Sequence, residues 1–359
     1  MPRLTMFLVV VVLLGIMPVP GNAQEELSVP LPEQIKIAVS MREIIPIVSG
    51  IGGSLVRVNV IEALGQDPSS MNFDPDQLDT IRQSDLIIIV NSGPSEARER
   101  VGEINPDAEI LDWEDFSRNH AELKDFPGCE SCAYGWWLSF DNIDSIVSAV
   151  FEKLFPLTGD DYYTLETNLL NISHEVNALR SAGRDSMAAV GRERSRWVAM
   201  SPEAAYIIDN LNLGVGAVGW NPDTGIVSGH DLVDIENKLQ SGEYAGLVCP
   251  IGMRNDENGQ LTLQLEESTG APVAWVKYSA GQSENPLIEN ASYNAAAIAA
   301  AAAVGDRSGV GGATPVSAHL IWALIVFALL VALVMQNRRT YQSGAYYAPK
   351  NRDGKKKKK

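Results

Sequence analysis

Hydrophobic and polar positions along the chain follow two rhythms that keep exchanging. Short runs rich in β-branched and other apolar residues, such as "IKIAVS" (35–40), "LVRVNVIEAL" (55–64), "LIIIVNSG" (86–93) and "AEILDW" (108–113), are strand-like. Between them, "REIIPIVSGIGG" (42–53), "PDQLDTIRQSD" (75–85) and "PSEARERVGEIN" (94–105) place apolar residues at helical spacing. Apolar runs of four to eight residues alternating with helical stretches predict βαβ units and a parallel sheet.

The rhythm changes at 142–189, where the pattern is mostly helical and Pro156 and Gly159 are the expected breaks. Its second piece, 160–182, is predicted as one helix about 35 Å long at 1.5 Å per residue, a strut between two lobes. Alternation then resumes through "RWVAMS" (196–201), "PEAAYIIDNLNL" (202–213), "GVGAVGW" (214–220), "GHDLVDIENKLQSG" (229–242), "YAGLVCP" (244–250), "GQLTLQLEESTG" (259–270), "PVAWVKYS" (272–279) and a closing alanine-rich helix (290–305). The predicted class is α/β: two α/β lobes with parallel sheets, at 24–159 and 191–304, joined by a linker helix at 160–190.

The ends indicate where these lobes work. Arg3, the apolar stretch 4–20 and the small residues of "GNAQ" have the layout of a secretory signal over 1–23. After a Gly-rich spacer (305–315), residues 316–335 are apolar enough to span a bilayer, and "NRR" follows. Basic residues stay on the cytoplasmic side, so the expectation is a C-terminal transmembrane helix with a basic cytoplasmic tail (336–359). That makes a single-pass protein of the cell membrane, its main domain extracellular. With the tail's net +8 and Arg3 removed from the chain's −17, the exterior part stands near −26. Such a field disfavours nucleic acid and suits cations.

Chemistry enters through three cysteines and little else. Gly-x-Ser-x-Gly, P-loop and His-Glu-x-x-His motifs are all missing from the sequence, so an enzyme is not expected. Cys129 and Cys132 form a Cys-x-x-Cys that reads first as a small-loop disulfide, next as a metal-ligand pair and last as a redox motif. Cys249 ends a predicted strand, where α/β proteins place ligand groups, although a lone cysteine also serves as a small buried apolar residue. The sequons Asn171-Ile-Ser and Asn290-Ala-Ser are compatible with an exposed surface.

In order and in motif the chain resembles the metal-receptor family of ABC-type solute-binding proteins, which serve zinc and manganese uptake. The resemblance covers 35–304 and rests on "GGSLVRVNVIEALGQDPSSMNFDPDQLDTIRQSDLIIIVNSG", "WWLSFDNI", "DDYYTLETNLLNISHEVNAL" and "SPEAAYIIDNLNL". It implies capture of a metal ion between two lobes and delivery to an ABC permease by a monomeric receptor. It also implies three histidines and a carboxylate as ligands, and these fall on Met71, Gly135, Ser201 and Tyr278 or Ser279. Gly135 has no side chain to offer, so the inherited set is lost.

Sulfur is the expected replacement. Met71, Cys129, Cys132 and Cys249 are the candidate metal ligands, for zinc or, as soft donors, Cu(I). The alternatives are a degenerate receptor that holds an organic ligand or a partner protein in an aromatic cleft, with Trp136, Trp137, Trp220 and Trp275 as lining or core, and an extracellular thiol-disulfide protein.

Overall fold

The computed structural model describes residues 34–61, 73–90, 96–278 and 286–305. The signal expected at 1–23, Met71, Ser279 and the apolar stretch 316–335 lie outside the described residues, among which no helix is long and apolar enough to cross a membrane.

The first lobe is built on four parallel strands, β1 (Ile35–Val39), β2 (Val56–Val60), β3 (Leu86–Ile88) and β4 (Glu109–Leu111), in the order β2-β1-β3-β4. Ile37 of the central strand pairs with Val58 on one side and Leu86 on the other. Alternation along β1 divides the packing, because successive side chains leave opposite faces of a strand. Ile37 and Val39 enter the main core, while Ala38 faces a satellite cluster with Ile61, Ile81 and Ile87.

Helices α1 (Ile45–Gly52), α2 (Pro75–Arg82), α3 (Glu96–Ile104) and α4 (Trp113–Arg118) complete this lobe. Asp74 caps α2: its carboxylate accepts from Gln77 N at 2.8 Å while the Gln77 side chain accepts from Asp74 N at 2.8 Å. This exchange satisfies two amides that a helix start leaves without intrahelical partners.

Two long helices follow. α5 (Phe140–Thr158) runs through Pro156, which the sequence reading took as a break. Proline in a last turn removes only one helical hydrogen bond; the helix ends instead at Gly159, at φ +58°. α6 (Tyr162–Ala189) has 28 residues and packs on α1, α5 and α10 (Pro286–Gly305). At 1.5 Å per residue it is about 42 Å long.

The second lobe repeats the plan with β5 (Arg196–Ala199), β6 (Gly214–Val218), β9 (Tyr244–Pro250) and β10 (Val273–Val276), parallel in the order β10-β9-β5-β6. Its helices are α7 (Pro202–Asn210), α8 (Gly229–Gln240) and α9 (Glu257–Thr269), and a small antiparallel pair, β7 (Trp220–Asn221) and β8 (Gly225–Ile226), lies after β6. Ile37 and Val39 of the first lobe and Trp197, Ala199 and Val248 of the second belong to one continuous apolar cluster. The lobes therefore share one apolar core.

Candidate functional site

The seam is built from the ends of elements. From the first lobe come Glu43, just before α1, and the turn Trp136–Leu138, entered through Gly135. The second contributes the start of α7 and the residues that follow β10. These are carboxyl ends of parallel strands or the helix starts next to them, the usual ligand side of an α/β sheet.

Ser201 caps α7 from an extended backbone, its hydroxyl accepting from Ala204 N at 3.3 Å, and Pro202 occupies the first helical turn. Ser-Pro-Glu is thus a strong helix start. An acidic residue in that turn normally reaches into water near the positive helix end, but Glu203 does not. It is only 9% exposed, and its Oε2 has no hydrogen-bond partner among the described residues. Burial pushes its carboxyl pKa up, against hydrogen bonds to its own backbone and to Ser201 that pull it down.

Gly135 explains how the carboxylate comes to be enclosed. Its φ is +84°, and a Cβ added there would stand 2.8 Å from Glu203 Cα. Any side chain would collide with the backbone of the opposite lobe and would also strain a left-handed residue. The position where the resemblance puts a histidine is a point of lobe-to-lobe contact. Tyr278, half-buried, lies within the influence of both carboxylates: burial first, then Glu203 and Glu43, push its hydroxyl up to about 12.

Other buried polar atoms collect nearby in the chain. Trp136 Nε1, Trp137 Nε1 and Ser139 Oγ are enclosed without partners among the described residues. Trp136 is core, packed edge-on to Trp113 at 5.1 Å and against Phe116 at 5.3 Å. Trp137 lines a cavity of about 60 Å³ whose walls come from both lobes, among them Glu43, Ile47, Ile207 and Tyr278. Trp275 lies under the Arg254 guanidinium at 5.1 Å, and Trp220 belongs to β7. The four tryptophans do not form one aromatic cleft.

The sulfur candidates are placed apart. Cys129 and Cys132 are joined to each other, 3% and 0% exposed, so in this arrangement neither is a thiolate. Cys249 is fully buried in a separate cluster with Val198, Met200 and Leu247. Its thiol leans toward the Pro250 carbonyl at 3.7 Å, and burial pushes its pKa up to about 11. A thiol held protonated is a poor metal ligand.

Met71 lies outside the described residues, and the histidines give no help: His120, His174 and His230 are exposed, and His319 falls outside. Among the described residues no group of three or more His, Cys, Asp or Glu side chains could hold a metal ion. What the seam does offer is one buried carboxylate, with Ser201 beside it and Tyr278 within reach of its charge. Glu203 is not legible as a site residue in the sequence, because an acid after Ser-Pro reads as a solvated cap and only the distant Gly135 encloses it.

A family model described as zinc-uptake complex component A, periplasmic (ZnuA), matches residues 37–301. No curated protein sequence matches. Among solved structures, a ZnuA crystal structure aligns with a TM-score of 0.59 at 18% identity, over 75% of this chain and 100% of the other. The solute-binding protein FpvC of Pseudomonas aeruginosa, in complex with Ni2+, aligns with a TM-score of 0.59 at 16% identity, over 78% and 100%. The laminin-binding protein of Streptococcus agalactiae, described as a bifunctional adhesin with metal-transporting activity, aligns with a TM-score of 0.58 at 13% identity, over 75% and 100%. At such identities the structures attest the two-lobed fold, whereas the family model spans most of the chain: this protein belongs to the family of the zinc-uptake receptor ZnuA.

Proposed function

We propose that the chain is the capturing receptor of a metal importer, tethered outside the cell by 316–335, and that it takes a divalent cation at the lobe seam on a donor set different from its relatives'. The observation that carries this reading is Glu203, a carboxylate enclosed at the seam with one oxygen unpartnered among the described residues. A buried polar atom without a partner calls for an explanation such as an ion or an ordered water. The donors in reach are oxygens, so the cargo is a cation that accepts carboxylate, zinc among them, and Cu(I) is disfavoured because it needs soft sulfur.

The sulfur set of Met71, Cys129, Cys132 and Cys249 would require the disulfide to open and Cys249 to leave its cluster. A second reading, a small organic ligand, is favoured by the cavity beside Trp137, which has room for about four to six water-sized groups. Capture would be followed by delivery to a permease, with the chain acting as a monomer.

Calorimetric titration of the full chain with Zn(II), Mn(II) and Cu(I) tests the proposal. One equivalent of Zn(II) or Mn(II), weakened at least about tenfold by Glu203→Gln and unchanged by Cys249→Ser, is the expected result. Binding that follows the cysteines would restore the sulfur set, and no binding of any ion would remove the metal-receptor reading.

A further inference from the structure

Beside the carboxylate, the seam carries a second device. Residues 124–140 of the first lobe form a strap lying along α7 and the end of β6. Its tip is a tight turn in which Phe126 and Cys129 exchange backbone hydrogen bonds at 2.9 and 2.8 Å, and the Cys129–Cys132 disulfide closes the loop covalently.

The strap is tied to the second lobe at nearly every step. Tyr206 of α7, fully buried, donates its hydroxyl to the Cys132 carbonyl at 2.7 Å and accepts from Lys124 N at 3.1 Å. Its ring stands edge-on to Phe126 at 5.0 Å. The Lys124 ammonium pairs with Asp209, one helical turn beyond Tyr206. Pro127 O accepts from Val218 N at 2.8 Å, and Gly128, at φ +91°, passes so close that a Cβ would sit 3.1 Å from Val218 O. Asn221 Nδ2 reaches Cys129 Sγ at 3.4 Å, and Tyr134 donates to Asp223 at 3.1 Å. At the far end Asn210 fills both roles of its amide, donating to Leu138 O at 2.7 Å and accepting from Phe140 N at 2.9 Å.

A long helix limits how far two lobes can swing. It cannot by itself stop their near edges from parting, whereas a disulfide-closed strap bonded to the opposite lobe can. The geometry points to an interlobe lock, with the Cys129–Cys132 loop as its clip and Tyr206 as its catch, that holds the two lobes in one arrangement before any cargo arrives. This inference goes beyond the receptor reading and does not rest on it, because it concerns the cargo-free chain.

Distances between spin labels on the two lobes test the lock. The labels go on non-native keto residues at exposed Asp79 of α2 and Asn237 of α8, in the purified, metal-free full chain. A single narrow distance is expected for the unsubstituted chain. In the double variant Cys129→Ser/Cys132→Ser, and separately in Tyr206→Phe, a second, longer distance should appear at about 10% or more of the population. Cys249→Ser should leave the narrow distance unchanged. Should the double variant not fold, Tyr206→Phe, which loses one oxygen and keeps its ring, decides alone. A broad or two-peaked distribution in the unsubstituted chain, or a narrow one in folded Tyr206→Phe, would overturn the lock.

Discussion

The strap and the carboxylate lie on the same seam, yet their polar groups are satisfied to different degrees. Along the strap Tyr206 has two hydrogen-bond partners, Asn210 has two, and the Asn142 amide behind it donates to Glu122 O and Trp136 O while accepting from Glu122 N. At the strap's own far end and across from it on α7, Trp136 Nε1, Trp137 Nε1, Ser139 Oγ and Glu203 Oε2 have none among the described residues. Fully satisfied buried networks rigidify a structure, and partly satisfied ones are costly unless something else completes them. One stretch of the seam therefore reads as fixed structure and the other as a place for an occupant.

The largest effect should come from forcing the two stretches apart. Gly135→Ala adds a methyl 2.8 Å from Glu203 Cα on a left-handed backbone. Overpacking and backbone strain together should cost about 3 kcal/mol, read as a lower midpoint in urea with an unchanged slope. A variant as stable as the original would mean that the seam opens freely at Gly135.

Removing the disulfide comes next. For so short a loop, chain entropy gives about 2 kcal/mol, and Cys129→Ser/Cys132→Ser should lose that much in the same assay. A loss near zero would mean that the noncovalent ties hold the strap alone.

Glu203→Gln should act in the opposite direction. A carboxyl whose folded pKa is raised binds its proton more tightly folded than unfolded. Its unfavourable contribution is therefore absent below the ordinary value of 4.5 and grows as pH rises through the window between that and the raised folded value. At neutral pH the uncharged amide should stabilise the cargo-free chain by about 1 kcal/mol. The gain should vanish in urea titrations below pH 4.5; a destabilised variant at neutral pH would show that the charge is already compensated.

The smallest effect belongs to His230→Ala. With its side chain 95% exposed and Asp231 beside it at 3.7 Å, stability should stay within about 0.5 kcal/mol and cation affinity should not change. A clear loss of affinity would move the site to α8.

Much of the fold was legible because parallel strands buried on both faces read as short apolar runs. "LIIIV" gave β3 and "YAGLVCP" gave β9 in this way. The capping box at Asp74 is likewise a local feature, carried by residues three apart. Pro156 misled because a helix tolerates proline near its end when a glycine stands ready to terminate it. The site was less legible because its parts are distant in sequence. Nothing around Ser201 shows that Gly135 lies over it, and only that contact turns Glu203 from a cap-region acid into an enclosed one. Likewise the three readings of Cys-x-x-Cys could not be separated without the distance between the sulfurs.

The central claim is that oxygen, not sulfur, meets the cargo at this seam. X-ray absorption at the zinc edge of the zinc-loaded full chain tests it most directly. The account predicts only light neighbours at about 2.0–2.2 Å, whereas sulfur at about 2.3 Å would contradict it.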